Sequence, residues 1–280
     1  MQPATPSSSD SVKLDRLCGW LAQEAPLRLA ESWDNVGLLV GDRQRDVQRV
    51  MTCLTLTPDV ADEAVNKRCG LVVTHHPIPF KPLAKLTTDS TAGAILLRLI
   101  ENGVAVYSAH TAFDSASEGI NSHWADAFEL IDSTALIPET IESPDQNTGP
   151  TPLGAGRYGQ LPQSMSLRSF IDQAAQLTGA SMPRIVGDPK RQIQKVGFSC
   201  GSGGSFQAAP DRCGCDALLT GEATFHVCLD ARARGIALAM IGHYCSERFA
   251  MERWAKRMQG EHAELEIWAS QSETDPVVPL

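Results

Sequence analysis

Three features are scarce in this sequence, and each absence excludes a class of protein. No apolar run approaches the roughly 18–20 residues that a membrane-spanning helix needs, and the longest one, 236–241, has the length of a buried strand. The first ten residues contain Pro, Ser and Thr without an apolar core, so we do not expect a secretory signal. Net positive charge is also missing: 24 Lys and Arg against 33 Asp and Glu give −9, which disfavours a general nucleic-acid binder.

Common motifs of phosphate binding and covalent catalysis are missing as well. The glycine-rich segment 201–205 lacks the Gly-Lys-Ser/Thr of a P-loop and the spacing of a dinucleotide-binding turn. This segment either cradles a phosphate with its backbone N–H groups or forms a tight turn that packs near a site. The sequence has no Gly-x-Ser-x-Gly nucleophile elbow, and a cysteine nucleophile is not favoured.

The remaining composition is that of an ordinary globular protein. Hydrophobic residues make up 42% and charged residues 20% of the chain. Its length of 280 residues is enough for one large domain or two small ones. Eight cysteines are present, and in a long chain they favour free thiols in the cytoplasm over a disulfide framework. For Cys213 and Cys215 we expect a turn and core thiols rather than a zinc site.

Strands and helices alternate along the chain, which predicts βαβ units and a largely parallel sheet. The strand 71–73 follows a helix that Thr57 caps, and the strand 104–107 follows a helix that ends at Asn102-Gly103. Two segments interrupt this pattern because they contain few apolar residues. Residues 1–10 are expected to be a disordered tail, and residues 138–152 a linker or long surface loop.

Four histidines come directly after predicted strands, where ligands bind in α/β sheets; they are His75, His76, His110 and His243. Asp114 lies four residues after His110, and Glu247 lies four residues after His243. Residues four apart share a face of a helix, so each carboxylate can meet the same site as its histidine. Adjacent strand residues point to opposite faces, so His75 and His76 can share one ion only if the strand has ended. Dividing them between two ions is easier.

At least three imidazoles and two carboxylates around one pocket suit Zn, Mn or Fe more than Ca or Mg. Two such ions about 3.5–4 Å apart make a hydrolytic centre that polarises substrate and generates hydroxide. A single histidine at a strand end is usually a hydrogen-bonding loop residue, but four at strand ends favour the metal site. His226, which opens a helix, either orients a ligand or is an ordinary helix-end residue. We expect His123 and His262 to be structural or to face solvent.

Five motifs occur in the order seen in one family. By these motifs the chain resembles the GTP cyclohydrolase 1 type 2 homologues, also called Nif-three-like dinuclear-metal hexameric proteins, from about Leu14 to Trp268. The motifs are Ser32-Trp33-Asp34-Asn35-Val36-Gly37-Leu38, Thr74-His75-His76-Pro77, Ser108-Ala109-His110-Thr111-Ala112-Phe113-Asp114, Leu219-Thr220-Gly221-Glu222 and Gly242-His243-Tyr244-Cys245-Ser246-Glu247. Three positions depart from the family pattern without removing a ligand: Phe113 where Asn is usual, Cys245 where a small residue is usual, and Glu222 where Asp is common.

The resemblance implies two divalent metal ions per subunit. His75 and His76 would each bind one ion, Asp114 would join the ion of His76, and His243 the ion of His75. Glu247 would bridge both ions. His110 would lie beside the pair, as an outer residue or an occasional ligand.

The resemblance also implies the architecture. The family fold has two α/β domains with mixed sheets flanked by helices, the second inserted into the first. This implies a metal-binding domain of residues 11–128 and 238–280 and an inserted domain of residues 129–237. Family members assemble as toroidal homohexamers, trimers of dimers, whose sites face an internal cavity.

We therefore expect a cytoplasmic metal-dependent hydrolase that acts on a nucleotide or a related small molecule. GTP ring opening and phosphoester hydrolysis are the candidate reactions, and His110 or His226 would transfer protons. The alternative is a non-enzymatic, ring-shaped, metal-containing protein with a binding or regulatory role. No membrane partner is expected.

Overall fold

The computed structural model describes residues 11–139, 153–203 and 208–279. The predicted tail at 1–10 lies outside these ranges, as do most of the polar segment 138–152 and the end of the glycine-rich segment. Within the ranges given, every helix is too short or too polar to cross a lipid bilayer. All eight cysteines fall inside them and are free thiols.

The strands, in chain order, are β1 (Val12–Lys13), β2 (Gly37–Val40), β3 (Asp46–Val47), β4 (Arg49–Cys53), β5 (Leu71–Thr74), β6 (Ala105–Ser108), β7 (Ile131–Thr134), β8 (Ile137–Pro138), β9 (Gly154–Ala155), β10 (Arg157–Ser166), β11 (Arg184–Val186), β12 (Gln192–Ser199), β13 (Ala217–Thr220), β14 (Ala237–Met240) and β15 (Glu266–Ala269). The α-helices are α1 (Leu14–Glu24), α2 (Pro58–Asn66), α3 (Thr91–Glu101), α4 (His110–Ser115), α5 (Ile120–Ala127), α6 (Leu167–Thr178), α7 (Ala208–Arg212), α8 (Phe225–Arg234), α9 (His243–Glu247) and α10 (Phe249–Glu261). A short 3-10 helix covers Leu27–Leu29.

The chain divides into two compact units. The first consists of the residues up to Ala112 together with Met251–Thr274, and the second consists of Phe113–Ala250 and the residues from Asp275 on. The second unit is therefore inserted into the first along the sequence, and each unit has its own mixed sheet. The predicted fold class, two α/β domains with one inserted in the other, is confirmed.

The sheet of the first unit has the strand order β15-β4-β5-β6-β2. The pairs β15–β4, β4–β5 and β5–β6 are parallel, while β2 runs antiparallel to β6 at the edge. Thr57, the expected cap, accepts from the Val60 N–H at the start of α2, and Ser90 accepts from the Gly93 N–H to cap α3. The apolar faces of both helices pack on the sheet, where the buried residues include Val60, Ala64, Ile95, Leu99, Met51, Val72 and Val106.

The sheet of the second unit has the order β11-β14-β13-β12-β10-β7. Its central strands β12, β13 and β14 are parallel, and the outer strands β11, β10 and β7 pair antiparallel. Gly179 ends α6 at a φ of 72°, a left-handed conformation that glycine adopts without steric cost. An aromatic cluster fills the core, with Trp124 stacked on Phe198 at a centroid distance of 6.0 Å.

A fully buried arginine, Arg157, secures the end of α4 in this unit. Its guanidinium donates to the carbonyl oxygens of Gly154 (2.8 Å), Gly156 (2.7 Å) and Ala116 (2.8 Å) and to the Ser122 hydroxyl (2.9 Å). Burial lowers the Arg157 pKa to about 10, so the group stays charged at neutral pH. A buried cation of this kind is tolerated because backbone dipoles replace its hydration.

A buried carboxylate in the first unit, Glu63, ties α2 to the chain after β15. Its oxygens accept hydrogen bonds from the Ser270 hydroxyl (2.7 Å), the backbone N–H groups of Gln271 (2.9 Å) and Ser272 (2.9 Å), the Trp268 indole (3.0 Å) and the Lys67 ammonium (2.9 Å). Burial alone would raise the Glu63 pKa, but these donors outweigh it and lower the pKa to about 2. The ionised form therefore stabilises the fold.

Replacing Glu63 with Gln should remove a pH-dependent part of the stability. The folded pKa of about 2 lies below the ordinary glutamate pKa of 4.5, so the contribution is complete above about pH 4.5 and disappears as the pH falls toward 2. We expect Glu63→Gln to lower the free energy of unfolding by about 3 kcal/mol at pH 7 and by little near pH 2. Urea denaturation at a series of pH values measures this. The exposed carboxylate variant Glu101→Gln should show no such trend, and a constant deficit for Glu63→Gln across the pH range would contradict the assignment.

Candidate metal centre

Three imidazoles meet at the carboxyl edge of the first unit's sheet. His75 and His76 directly follow β5, and His110 stands two residues after β6. The ring centroids lie 5.1 Å (His75–His76), 5.2 Å (His75–His110) and 5.6 Å (His76–His110) apart. One ring nitrogen from each lies within 4.8 Å of the others, a spacing that can hold a metal ion. These three residues form what we call the histidine cluster.

Strand pairing positions the first two histidines. The His75 N–H donates to the Cys53 carbonyl (2.9 Å), and the His76 N–H donates to the Leu54 carbonyl (2.8 Å). The Ser108 hydroxyl at the end of β6 donates to the His75 carbonyl (2.7 Å). Because β5 has ended at Thr74, the strict alternation of side chains no longer applies, and the two adjacent rings approach each other. His75 and His76 can therefore both face one ion.

A buried carboxylate orients His110. Asp34 Oδ1 accepts from His110 Nδ1 at 2.8 Å, and Asp34 Oδ2 accepts from the Thr111 N–H at 3.1 Å and from its hydroxyl. Burial would raise the Asp34 pKa, but the hydrogen bonds from His110 and Thr111 lower it to about 2. An ionised Asp34 keeps the proton on Nδ1, which leaves Nε2 with its lone pair for a ligand.

His76 has an anchor of its own. Thr55 Oγ1 lies 2.7 Å from His76 Nδ1, so the Nε2 atom is again the one left for other partners. Thr55 is in turn held by its backbone, because the Glu273 carboxylate accepts from the N–H groups of Leu54 (2.9 Å) and Thr55 (2.5 Å). Supporting hydrogen bonds of this kind orient metal-binding histidines and raise their basicity.

His110 also carries backbone strain. Its φ of 29° is sparsely populated by non-glycine residues. The flanking hydrogen bonds of Asp34 to the His110 ring and the Thr111 backbone hold this conformation in place. Strain of this kind concentrates at functional sites, where the surrounding structure compensates its cost.

A second acidic and imidazole group lies in the inserted unit, where β12, β13 and β14 end. His243 follows β14 at the start of α9, and its Nε2 lies 3.1 Å from Glu247 Oε2 while its Nδ1 lies 3.0 Å from Glu222 Oε1. The hydrogen bond to the nearly buried Glu247 raises the His243 pKa to about 9 despite the opposing effect of burial. The bond to His243, followed by that from Ser202, lowers the Glu222 pKa. The ring is therefore protonated at neutral pH, and a metal ion binding at Nε2 would replace that proton.

Gly201, two residues after the end of β12, leaves the space that Glu247 occupies. A Cβ at Gly201 would lie 2.2 Å from Glu247 Oε1 and 3.2 Å from His243 Nε2, and its φ is +58°. Ser246 Oγ accepts from the Gly201 N–H (2.9 Å) and donates to the His243 carbonyl (2.8 Å). The glycine-rich segment therefore packs against the acidic group, which agrees with the tight-turn interpretation of its described part.

Asp114, on α4, lies beside the end of β12, because it contacts Cys200, the residue that follows this strand. The Cys200 thiol donates to Asp114 Oδ1 at 3.2 Å, and Asn121 bonds both the Asp114 carbonyl (3.0 Å) and the Cys200 N–H (3.0 Å). Burial first, then the charges of Asp114 and Glu247, raise the Cys200 pKa, so both carboxylates act on this thiol. The inserted unit thus brings Asp114, His243 and Glu247 to the ends of its parallel strands.

The remaining histidines lie elsewhere. His226 is exposed near the start of α8, with its ring 5.8 Å from that of Phe225. His262 is buried against Trp20 at a centroid distance of 5.4 Å, and His123 lies between Phe113 (6.2 Å) and Phe249 (6.4 Å). These surroundings agree with the structural roles expected for His123 and His262.

The donor atoms fit a transition-metal ion. Imidazole nitrogens with oriented Nε2 atoms dominate the histidine cluster, and imidazole with carboxylate forms the second group. This mixture suits Zn, Mn or Fe, whereas Ca and Mg prefer all-oxygen surroundings. The structure therefore contains His and Glu groups that can hold a metal ion.

Sequence reasoning missed the residues that orient the ligands. Asp34 falls within one of the five family motifs, but Thr55 and Cys200 carry no signal of their own in the sequence. The sequence clue for Asp34 is its place between Trp33 and Asn35 in a short turn-forming segment. Its partner, 76 residues away, becomes visible only when β2 pairs with β6.

Known proteins provide an independent comparison. A family model described as Duf34/NIF3 (NGG1p interacting factor 3) matches residues 12–276. A relative named "GTP cyclohydrolase 1 type 2 homolog" from Clostridium acetobutylicum is 33% identical over 270 residues, covering 95% of this chain and 98% of that relative. A Helicobacter pylori protein named "GTP cyclohydrolase 1 type 2" is 32% identical over 224 residues, covering 80% and 82%.

The fold recurs in solved structures. A Bacillus cereus protein described as related to NIF3 superposes with a TM-score of 0.86 at 22% identity, covering 96% of this chain and 99% of that chain. At this identity the likeness shows the fold alone.

Removing the Asp34 charge should weaken metal binding by the histidine cluster. Asp34→Asn leaves a side chain of equal size that no longer fixes the proton on His110 Nδ1. Because His110 lies beside the ions or ligates one only occasionally, we expect zinc affinity to fall roughly 10-fold, the lower end of the usual cost of losing such a partner. Competition with a chromophoric zinc chelator measures it. Asp42→Asn, which removes an exposed carboxylate and the same charge, should bind zinc as the wild type does; equal loss in both variants would mean that only net charge matters.

Adding a methyl group at Gly201 should displace Glu247. Gly201→Ala and Gly214→Ala both place alanine at positive φ (+58° and +68°), but a Cβ at Gly214 meets nothing within 4 Å. Both variants should lose about 1–2 kcal/mol of stability from the backbone conformation. Gly201→Ala should lose more than this and should also bind less metal. Urea denaturation and metal analysis of the two variants make the comparison. Equal stability and equal metal content in the two variants would show that glycine is required at position 201 only for its backbone conformation.

Proposed function

The chain belongs to the Duf34/NIF3 family, and we propose that it is a metal-dependent hydrolase acting on a nucleotide or a related small molecule. The observation that carries this proposal is the histidine cluster, in which His76 and His110 have their Nδ1 atoms held by other side chains. Orientation of this kind is costly to maintain and is typical of ligands and proton carriers. The names of the relatives make GTP the first nucleotide to test.

For the metal we propose two divalent ions per subunit, Zn, Mn or Fe, with the ligand set that the family resemblance implies: His75, His76, Asp114, His243 and Glu247. Glu247 would bridge the two ions. Its support is chemical and positional. The three histidines follow parallel strands of the two sheets, and the two carboxylates lie on the short helices α4 and α9 that come after such strands. When bound, such ions polarise a carbonyl or phosphoryl oxygen and lower the pKa of water.

The chain's own residues would supply orientation and proton transfer. Asp34, ionised and buried, holds His110 with Nε2 carrying the lone pair, so this ring can accept a proton at that atom and return it to a leaving group. His226 is the second candidate, but its ring contacts the exposed Phe225. The fixed orientation therefore supports His110 as the main proton carrier.

Assembly and location follow from the same resemblance. We propose a cytoplasmic homohexamer, a trimer of dimers. The eight free thiols suit a reducing compartment. The charge of −9 does not favour a nucleic-acid partner, and no membrane partner is proposed.

The decisive experiment combines metal analysis with a substrate panel. Metal-loaded protein is incubated with nucleotides, beginning with GTP, and with phosphoesters, and products are separated by chromatography. Loss of an outer partner costs roughly 10- to 100-fold, so removal of a direct ligand in Glu247→Ala should reduce turnover at least that much and release metal. Glu261→Ala, which removes an exposed carboxylate at the end of α10, should keep both the turnover and the bound metal. Bound metal without turnover on any member of the panel would favour the non-enzymatic alternative, and full metal content in Glu247→Ala would refute the ligand assignment.

A further inference from the structure

Two large aromatic side chains in the first unit remain largely exposed. Trp33 is 58% exposed and Phe80 is 45% exposed, and their ring centroids lie 5.9 Å apart. Leaving so much aromatic surface in water is unfavourable, because each such side chain could bury a large apolar area. Paired exposed aromatic rings beside a polar site are typical of a ligand-binding surface.

The backbone on both sides of this aromatic pair is held by hydrogen bonds. The Asn35 side-chain amide donates to the Pro79 carbonyl (2.8 Å), which joins the turn carrying Trp33 to the loop carrying Phe80. The next residue after Trp33 is Asp34, whose N–H donates to the Glu31 carbonyl (2.9 Å). The two rings are therefore presented by a backbone that is already organised, so a ligand does not have to order them.

The aromatic pair borders the histidine cluster. The ring centroids of Trp33 and Phe80 lie 6.1 Å and 6.2 Å from that of His110. The interplanar angles are 75° and 82°, and the two aromatic rings are tilted by 52° to each other, so none of the three pairs stacks in parallel. A ligand whose reacting group lies at His110 would have its adjoining part against these rings.

We propose that Trp33 and Phe80 form the subsite that binds the planar heteroaromatic ring of the substrate, such as a purine base, and that stacking on Trp33 favours ligands with such a ring over ligands without one. This inference rests on the proposed function, because it assigns the substrate class of that same site. A stacked base gains affinity from its π-face without needing a particular hydrogen-bond pattern. Lys81 and Lys85 follow Phe80 on the same exposed loop and supply cations suited to a phosphorylated ligand.

Binding measurements separate the ring from the rest of the ligand. Guanosine 5′-monophosphate and ribose 5-phosphate are titrated into metal-loaded and metal-depleted protein by calorimetry, and metal content is measured for every variant. Loss of stacking lowers affinity roughly 5- to 150-fold. We expect that loss for the guanosine compound in Trp33→Ala, with ribose 5-phosphate binding and metal content unchanged. Trp33→Phe should retain most of the affinity and should lose the tryptophan quenching that the guanosine compound causes in the wild type.

Phe225→Ala is the matched control, since it removes another exposed aromatic ring (72% exposed) on α8 of the inserted unit. It should bind the guanosine compound as the wild type does. The proposal is overturned if the wild type does not bind this compound, if it binds ribose 5-phosphate equally well, or if Trp33→Ala binds the guanosine compound unchanged. If the base subsite behaves as expected but no nucleotide is turned over, the hydrolase proposal fails and the subsite stands.

Discussion

The geometry of parallel strand ends is the constraint on which both candidate ligand groups depend. In each unit the chain leaves neighbouring parallel strands at their carboxyl ends, and the residues that follow these strands then lie side by side. In the first unit this joins His75, after β5, to His110, after β6, across 35 residues of sequence. In the inserted unit it joins Cys200, Glu222 and His243, which follow three successive parallel strands.

Around these strand ends, the structure uses carboxylates and hydroxyls to orient imidazoles. Asp34 holds His110, Thr55 holds His76, and Glu222 contacts His243 on the side opposite Glu247. The low pKa of Asp34, about 2, shows that its anion is well satisfied where it lies. Such preorganisation lets the imidazoles act without paying for reorientation when a ligand arrives.

In the inserted unit, an interaction that stabilises the fold also positions a proposed metal ligand, Asp114. Arg157 binds the carbonyl of Ala116, just beyond the end of α4, and α4 carries Asp114 two residues earlier. Because the guanidinium is buried among carbonyl oxygens, losing one of these acceptors would leave an N–H donor unsatisfied in the core. The residue that stabilises this corner of the fold thereby also fixes the backbone from which Asp114 projects.

The sequence by itself determined the local features. Apolar runs and caps fixed where β5 ends and where α2 and α3 begin, because these signals act within one turn or one strand. It therefore also determined that His75 and His76 follow a strand. Only the tertiary structure decided that Asp34 holds His110, that Cys200 contacts Asp114 and that Glu247 fills the space left at Gly201. Those contacts depend on strand order and register, which arise from packing between distant segments and leave no periodic trace in the sequence.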